Sequence, residues 1–461
     1  MKRSRAVAGG IVAVAVFVAL CVSSVAYVWR PEIAPIDPSR PVHFDPELVR
    51  KGAELAAVGD CNACHTAPNG QVFAGGAPLP TPFGMIYSTN ITPEPETGIG
   101  RWPEQAFRRA MREGVDREGR YLYPVFPYDH FTRVSDADDE ALYAFLMTRR
   151  PVRAAAPADE FRFPLNQRVV VAGWNLLFLR RGPFKPDSAR DDVWNRGAYL
   201  VEGIGHCGAC HTPRNMFGAE KRNEAFAGGE EEGWRAFPIN SFSPAPVPWD
   251  ADALFAYLRQ GWHGLHGVAR GPMAPVANSL ASAQDADVQA IAIYVASLMG
   301  EPTQERRRQG ERLADVAKPF GTGGKPQSAG SQVAPPQPSS GLGAAIYAGA
   351  CASCHESGRP LPYGGVNLAL STAINGENPR NLLNVVLAGL PAGDGVRAPI
   401  MPGFGAILTD EQIAALTSYL RSRFSVKPAW SNVSAQLQEA RDGLVDANLS
   451  SDASRISVTS H

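Results

Sequence analysis

The sequence predicts an all-α fold in which three domains with long loops follow one another and a single transmembrane helix precedes them. A pair of helical patterns with the same internal features occurs three times along the chain, which indicates repeated units. A long stretch without a charge, Ala6–Trp29, lies close to the N-terminus. Proline and glycine number 39 and 45 among 461 residues, a composition that suits long loops.

Each repeat begins with one helical pattern and ends with another. The opening pattern contains Gly-Ala-x-Leu or Gly-Ala-x-Ile, and its three glycines are Gly52, Gly197 and Gly343. The closing pattern joins an acidic start to apolar and aromatic residues at i, i+3 and i+4, and its starts are Asp136, Asp285 and Asp410. Such a stripe is one buried helix face, so a small residue on the first helix and an aromatic residue on the last predict a close crossing.

The repeated patterns and the composition between them divide the chain into seven segments. They are an N-terminal anchor and lead (1–44), a first domain (45–155), a connector (156–188), a second domain (189–305), a linker (306–340), a third domain (341–427) and a C-terminal tail (428–461). The stretch from Lys318 to Gly341 is rich in glycine, proline, serine and glutamine, which predicts a flexible linker and a mobile third domain. The connector contains an apolar run, Val169–Leu179, which is too short to span a bilayer. We expect it to pack between domains, with docking on a membrane surface or a partner subunit as alternatives.

One pentapeptide pattern, C-x-x-C-H, occurs once in each repeat. Its three copies are Cys61, Cys64 and His65; Cys207, Cys210 and His211; and Cys351, Cys354 and His355. The pattern is the attachment signature of c-type haem, because two thiols add to the two vinyl groups of one porphyrin and the adjacent imidazole reaches the iron. A zinc site would need paired knuckles close together, whereas these copies lie far apart along the chain. A thioredoxin-like pair is the other alternative. Six of the seven cysteines are used, Cys21 remains alone, and the sequence predicts three covalently bound haem c groups.

The second axial ligand of each iron is expected shortly before the closing helix. Met273 and Met401 lie there in proline-containing loops, downstream of His211 and His355. A thioether on such a loop can reach the open face of the iron. His263 and His266, in the sequence GWHGLHG, are the rivals of Met273.

The first repeat has Phe126 at the position that corresponds to Met273, counted from the motif histidine. We favour His130 as the ligand, with Met85 or an open iron as alternatives. Met111 and Met147 fall on helical patterns, where a core role is expected. Thioether ligation raises the potential of haem iron relative to imidazole. A first haem ligated by His130 is therefore predicted to have the lowest potential and to receive electrons first.

The N-terminal apolar stretch, Ala6–Trp29, is long enough for a helix to cross a hydrocarbon core of about 30 Å. The cations Lys2, Arg3 and Arg5 precede it, which predicts a cytoplasmic N-terminus, a single anchor in the bacterial cytoplasmic membrane and a bulk that faces the periplasm. A cleaved signal peptide is the alternative. The near-equal numbers of basic and acidic residues, 44 and 45, give no argument for a nucleic-acid partner.

Several stretches together resemble the tri-haem cytochrome c subunits of membrane-bound bacterial dehydrogenases. The matching segments include CNACHTAP, TPFGMIYSTNITPEPETGIGRWPEQAFRRAMREGV, LYPVFPY, GHCGACHTPRN, GPMAPV and CASCH with MPGF, and they extend over most of Asp45–Phe424. The resemblance implies class I cytochrome c folds, membrane attachment, and electron relay from a dehydrogenase catalytic subunit to quinone or a terminal oxidase. Alcohol dehydrogenase members carry methionine where this chain has Phe126. The segments YPVFPYDHF and FPLNQR with AGWNLLF look more like the subgroup that serves molybdenum hydroxylases, where a 2Fe–2S subunit is a further candidate partner.

Two function classes remain open at this stage. The first is an electron-transfer subunit without substrate chemistry of its own, for which no catalytic residue is assigned. The second is a multi-haem peroxidase that uses an open face at the first haem. A haem-based sensor or an oxidase subunit is less favoured, because the chain shows neither a cytoplasmic signalling region nor a further membrane span.

Overall fold

The computed structural model describes residues 27–40, 42–316, 341–359, 361–391 and 399–443. The chain divides into two compact units, of which the first comprises Met1–Ala56 and Cys64–Lys185. The second unit comprises Ala57–Ala63 and Pro186–His461. The second and third predicted repeats therefore fall in the same unit.

The part of the chain up to Lys185 combines helices with one small sheet. The helices are α1 (Pro46–Val58), α2 (Cys61–Cys64), α3 (Glu104–Glu113), α4 (Tyr128–Phe131), α5 (Asp136–Met147) and α6 (Val170–Phe178). The antiparallel strands are β1 (Pro78–Thr81), β2 (Gly84–Tyr87) and β3 (Glu160–Phe161), with β2 in the centre. Helix α5 starts where its acidic pattern predicts, because the Ser135 side chain accepts a hydrogen bond from the Asp138 amide.

The remainder of the chain has longer helices and two hairpins. The helices of the second repeat and its C-terminal extension are α7 (Asp192–Glu202), α8 (Gly208–His211), α9 (Ala251–Gln260), α10 (Met273–Leu280), α11 (Asp285–Met299) and α12 (Gln304–Val316). Those of the third repeat are α13 (Leu342–Ala350), α14 (Ala352–His355), α15 (Thr372–Asn375), α16 (Arg380–Ala388) and α17 (Asp410–Phe424). The hairpins pair β4 (Gly229–Glu231) with β5 (Trp234–Ala236) and β6 (Trp262–His263) with β7 (Gly267–Val268). Thr409 and Gln412 form a capping box at the start of α17.

The opening and closing helices of each repeat cross at the predicted glycine. A Cβ atom added at that glycine would lie far inside van der Waals contact with a carbonyl oxygen of the closing helix. The three approaches are 1.9 Å for Gly52 to Ala141, 2.0 Å for Gly197 to Ala290 and 2.3 Å for Gly343 to Ala415. The aromatic residue of the closing helix lies beside each glycine, and these residues are Phe145, Tyr294 and Tyr419. The close crossing predicted from the sequence is thus confirmed in all three repeats.

The prediction of an all-α fold is wrong in one respect, since three small antiparallel sheets accompany the helices within the described residues. Their strands are two to four residues long, too short to show an alternating pattern in the sequence. The turn between β4 and β5 has the backbone conformation of a tight hairpin. Its two central residues, Glu232 and Gly233, both have positive φ angles of 47° and 74°, as expected of a type I′ hairpin turn.

The predicted transmembrane helix is a second correction. No helix in the described part of the chain is long and apolar enough to cross a membrane. The longest helices there, α11 and α17, have 15 residues, or about 22 Å, against a hydrocarbon core of about 30 Å. The predicted span Ala6–Trp29 lies outside the described residues except for its last three. The structure therefore gives no support to the N-terminal anchor or to the membrane location, with a periplasmic bulk, that was inferred from it.

The apolar run of the connector forms α6, and its two sides differ. Val171 and Ala172 are buried in a cluster with Val115 and Tyr121. The Tyr128 hydroxyl donates to Oδ1 of Asn175 at 2.7 Å, which fixes the same side of the helix. The opposite side is exposed, and its large residues are Val170, Leu176 and Leu177. The run therefore packs with one face only against residues of the first unit.

Candidate haem sites

Each C-x-x-C-H motif lies on a single helical turn. The motif turns are α2, α8 and α14, and each follows directly after the opening helix of its repeat. Residues three apart on a helix lie on the same side, so both thiols of a motif face one direction. All six cysteines are at least partly accessible, and Cys64 and Cys354 are exposed. The arrangement is compatible with attachment of both thiols of a motif to one porphyrin, and that attachment stays a prediction.

The imidazole that follows each cysteine pair is oriented by a backbone carbonyl group. Nδ1 lies within hydrogen-bond distance of one carbonyl oxygen in every motif. The pairs are His65 with Thr89 at 2.7 Å, His211 with Phe237 at 2.7 Å, and His355 with Val366 at 2.9 Å. When Nδ1 donates to a carbonyl group, the lone pair is left on Nε2, which is the tautomer that a metal ligand requires.

The same three imidazoles have lowered pKa values. Burial lowers the pKa of His65, His211 and His355, and the hydrogen bond to the carbonyl group opposes this shift in each case. Burial disfavours the charged imidazolium form. Since only neutral imidazole binds a metal, the surroundings favour the state that haem ligation needs.

Glycines allow the backbone to pass close to each motif histidine. Gly75 has a φ of 74°, and a Cβ atom there would lie 2.4 Å from the Thr89 carbonyl carbon. A Cβ atom at Gly229 would lie 2.3 Å from the Cys210 carbonyl oxygen, and one at Gly365 would lie 2.7 Å from Nδ1 of His355. These glycines and the three carbonyl partners were not predicted from the sequence. The signal available was only a glycine in the loop that follows each histidine.

The two predicted methionine ligands occupy different local structures. Met273 is the first residue of α10 and follows Pro272. It was expected within a loop but lies at the start of a helix. Met401 forms an isolated antiparallel bridge with Leu390, whose amide donates to the Met401 carbonyl oxygen at 2.8 Å. Both methionines are half-buried. Their role as iron ligands stays a prediction.

Aromatic residues surround the position of the missing methionine in the first repeat. The Phe126 ring packs against Phe131, with 5.3 Å between ring centroids. His130 is buried on α4, the short helix that follows. Met85 lies within β2, opposite Pro80 and Glu160. Ligation by His130, with Met85 or an open iron as alternatives, stays a prediction.

The two methionines expected in the core differ in burial. Met111 is buried on α3, in agreement with a core role. Met147 is the last residue of α5 and is half-buried.

The two rival histidines of the second repeat lie at the β6–β7 hairpin. His266 is buried and stacks on Trp249, with 3.5 Å between ring centroids. Burial, together with the charge of His263, lowers the pKa of His266 to about 3. Among the residues that the structure describes, its Nδ1 has no hydrogen-bond partner. The stack fixes the orientation of this ring.

Comparisons with known proteins place the chain in a family. The family model described as cytochrome c matches residues 340–424, the third repeat. The fructose dehydrogenase cytochrome subunit of Gluconobacter japonicus is 36% identical over 408 residues, which cover 85% of this chain and 82% of that protein. The gluconate 2-dehydrogenase cytochrome c subunit of Pantoea cypripedii is 37% identical over 413 residues, or 86% and 88% of the two chains. The chain belongs to the family of dehydrogenase cytochrome c subunits. The resemblance seen in the sequence is confirmed.

A third relative is a longer protein. A nicotinate dehydrogenase subunit of Pseudomonas putida is 46% identical over 427 residues, which are 92% of this chain and 34% of that protein. This cytochrome c subunit therefore spans about a third of the length of that relative. Family membership establishes haem c as its cofactor class.

Proposed function

We propose that this cytochrome c subunit holds three haem c groups and relays electrons from a dehydrogenase catalytic subunit to quinone or another member of the respiratory chain. The observation that carries the proposal is the threefold recurrence of one geometry. In each repeat two thiols share a helical turn, and Nδ1 of the next residue lies 2.7–2.9 Å from a carbonyl oxygen. The family model covers the third repeat alone, and the same geometry in the other two supports a count of three.

The residues present fit the group that they would hold. The proposed attachment residues are Cys61, Cys64, Cys207, Cys210, Cys351 and Cys354, and the proposed iron ligands are His65, His211, His355, His130, Met273 and Met401. Haem c, when bound, supplies a one-electron couple at its iron. The carbonyl groups of Thr89, Phe237 and Val366 fix the rings and make Nε2 a stronger donor to the metal.

The first site is proposed as the point of electron entry. An imidazole from His130 would give its iron two nitrogen ligands, whereas Met273 and Met401 would give the other irons one nitrogen and one sulfur. Thioether ligation favours the reduced iron, so the first site would have the lowest potential. Electrons delivered there would then move downhill toward the other two sites.

The proposed partner is a catalytic subunit of the molybdenum hydroxylase type, with a 2Fe–2S subunit as a further member of the complex. Two observations support it. The segments around Phe126 and α6 resemble the subgroup that serves such enzymes. The chain also shares 46% identity with a subunit named for nicotinate, an N-heterocyclic acid. An aldehyde or alcohol dehydrogenase is the alternative partner.

Purification of the tagged protein from its native cells tests this proposal. We expect a dehydrogenase chain to co-purify and metal analysis to detect molybdenum. Addition of nicotinate or a related N-heterocyclic acid should then reduce the haem absorption bands, whereas an alcohol or a sugar acid should not. A preparation that contains no dehydrogenase chain, and whose spectrum no substrate changes, would contradict the proposed role. Reduction by an alcohol alone would contradict only the molybdenum assignment.

A further inference from the structure

The edge of one hairpin in the second repeat is bound by a helix of the third repeat. The Asn381 side chain on α16 makes two hydrogen bonds to the backbone of Arg235 on β5. Its Oδ1 accepts from the Arg235 amide at 2.8 Å, and its Nδ2 donates to the Arg235 carbonyl oxygen at 2.8 Å. One helical turn further on, Nδ2 of Asn384 donates to the Gly233 carbonyl oxygen at 3.0 Å. Asn381 and Asn384 are only 9% and 5% exposed.

These contacts explain why the polar side chains of Asn381 and Asn384 are buried. Because β4 and β5 form a two-stranded sheet, the outer edge of β5 presents backbone groups that need partners. Asn381 supplies both a donor and an acceptor to one residue, as a neighbouring strand would. A buried amide side chain on a helix costs free energy unless it is hydrogen-bonded. The two asparagines of α16 are therefore matched to the β5 edge and not to the core of the third repeat.

A second contact joins the segments that precede the two predicted methionine ligands. Nε of Arg270 donates to the Gly389 carbonyl oxygen at 3.2 Å. Arg270 lies three residues before Met273, and Gly389 is adjacent to Leu390, the bridge partner of Met401. The guanidinium group is half-buried, and burial lowers the pKa of Arg270. The carbonyl oxygen holds this cation in place, and a half-buried guanidinium group without an acceptor would cost free energy.

The same hairpin also orients the second haem histidine. Phe237 follows β5 and accepts the hydrogen bond from His211. A Cβ atom at Gly376 of the third repeat would lie 3.5 Å from Cε1 of Phe237. Residues 233–237 thus contact the His211 imidazole on one side and the third repeat on the other.

We infer that α16 forms a permanent docking interface with β5 and with the segment that contains Arg270. In this interface Asn381, Asn384 and Arg270 hold the second and third repeats together for direct electron exchange. This inference rests on the proposed function, because the exchange requires haem at both sites. The step moves one electron from a ferrous to a ferric iron, so no bond forms or breaks and no proton moves. The sequence between residues 318 and 340, from which a mobile third domain was expected, lies outside the described residues, and the inferred interface is the alternative to that expectation.

A cleavage experiment on the haem-loaded full-length protein tests the interface. A protease site is inserted among residues 318–340, the protein is cut, and the products are separated by size-exclusion chromatography and stained for covalent haem. We expect the two fragments of the otherwise unchanged protein to elute together and both to stain. Asn381→Ala with Asn384→Ala should weaken their association by about tenfold or more, since each change leaves buried backbone groups without partners. Gln438→Ala, an exposed position of the same fragment, is the matched control.

Each outcome has a separate meaning. Fragments of the otherwise unchanged protein that separate on cleavage would overturn the interface. A C-terminal fragment that elutes with its partner but carries no haem would overturn the count of three haems and leave the docking intact. If the asparagine variant fails to fold, Arg270→Ala changes the interface from the second repeat. It should weaken association in the same way, and unchanged association in Arg270→Ala would overturn the role of the Arg270 contact.

Discussion

Gly343 of α13 lies against Ala415 of α17, and a Cβ atom at Gly343 would come within 2.3 Å of the Ala415 carbonyl oxygen. This approach is far below van der Waals contact, so the two helices can cross here only because glycine has no side chain. The crossing lies near the start of α13, the helix that leads into the motif turn α14. The corresponding approaches in the other repeats are closer still, at 1.9 Å for Gly52 to Ala141 and 2.0 Å for Gly197 to Ala290.

Gly343→Ala is therefore expected to destabilise the third repeat by about 1–3 kcal/mol, because the helices must separate to admit the methyl group. Gly349→Ala is the matched control, since it lies on the same helix and an added Cβ atom meets nothing within 4 Å. That change should be neutral or stabilising by roughly 0.5–1 kcal/mol, because alanine favours helix more than glycine does. Thermal unfolding of both variants checks this. Equal melting temperatures would show that the crossing is looser than described.

His130→Ala is expected to remove the low-spin signal of the first haem in low-temperature electron paramagnetic resonance. The reason is the loss of its proposed second axial ligand, while Met273 and Met401 continue to serve the other two irons. Met85→Ala is the control and should leave all three signals in place. If the spectrum changes in Met85→Ala and not in His130→Ala, then the thioether and not the imidazole is the ligand.

Met273→His and Met401→His should each lower the potential of one haem by on the order of 100 mV, a fraction of the roughly 0.8 V range that axial ligands span. Imidazole stabilises the oxidised iron more than a thioether does.

Spectroelectrochemical titration of the unchanged protein should show the first haem with the lowest potential. A first haem with the highest potential would remove the argument for electron entry at that site.

The buried carboxyl group of Asp139 is expected to make the stability of the folded protein depend on pH. Its carboxylate is fully buried on α5 and lies 2.7 Å from Nε of Arg112. Burial raises the pKa of Asp139 to about 7, and the attraction of Arg112 opposes this shift. An unfolded aspartate has a pKa of about 3.9, so the folded state binds the proton more tightly. This contribution to stability is present below about pH 4 and is lost as the pH rises to about 7.

Asp139→Asn removes that titration. The quantity to compare is the melting temperature of the variant minus that of the unchanged protein. This difference should increase by a few degrees between pH 4.5 and pH 8, as expected of a ΔΔG of about 1–2 kcal/mol. Asp136→Asn is the control, because its carboxylate contacts the same guanidinium group from an exposed position. An effect shared by both variants would report the lost contact with Arg112. A constant difference across this pH range would contradict the raised pKa.

The sequence predicted the features that depend on local patterns. The closing helices begin at Asp136, Asp285 and Asp410 as expected, because acidic first turns and apolar stripes are properties of neighbouring residues. The glycine crossings followed from the recurrence of one short pattern before each motif. The motif turns followed from cysteine and histidine spacing.

The features that the sequence did not predict depend on pairs far apart in the chain. Asn381 and Arg235 are 146 residues apart, and neither belongs to a recognisable pattern. The carbonyl groups that orient the motif histidines are backbone groups, which every residue type possesses. The short strands have too few residues to reveal alternation, and Met273 is at a helix start because Pro272 suits the beginning of a helix as well as a loop.

The proposed function depends on three covalently attached haem groups in one polypeptide. Intact-mass spectrometry, combined with the pyridine haemochrome assay on the denatured protein, measures their number directly. We expect three haem groups per polypeptide, and two after replacement of both cysteines by alanine in any one motif, for example Cys351→Ala with Cys354→Ala. Fewer than three in the unchanged protein, or no loss on replacement of one cysteine pair, would contradict this expectation.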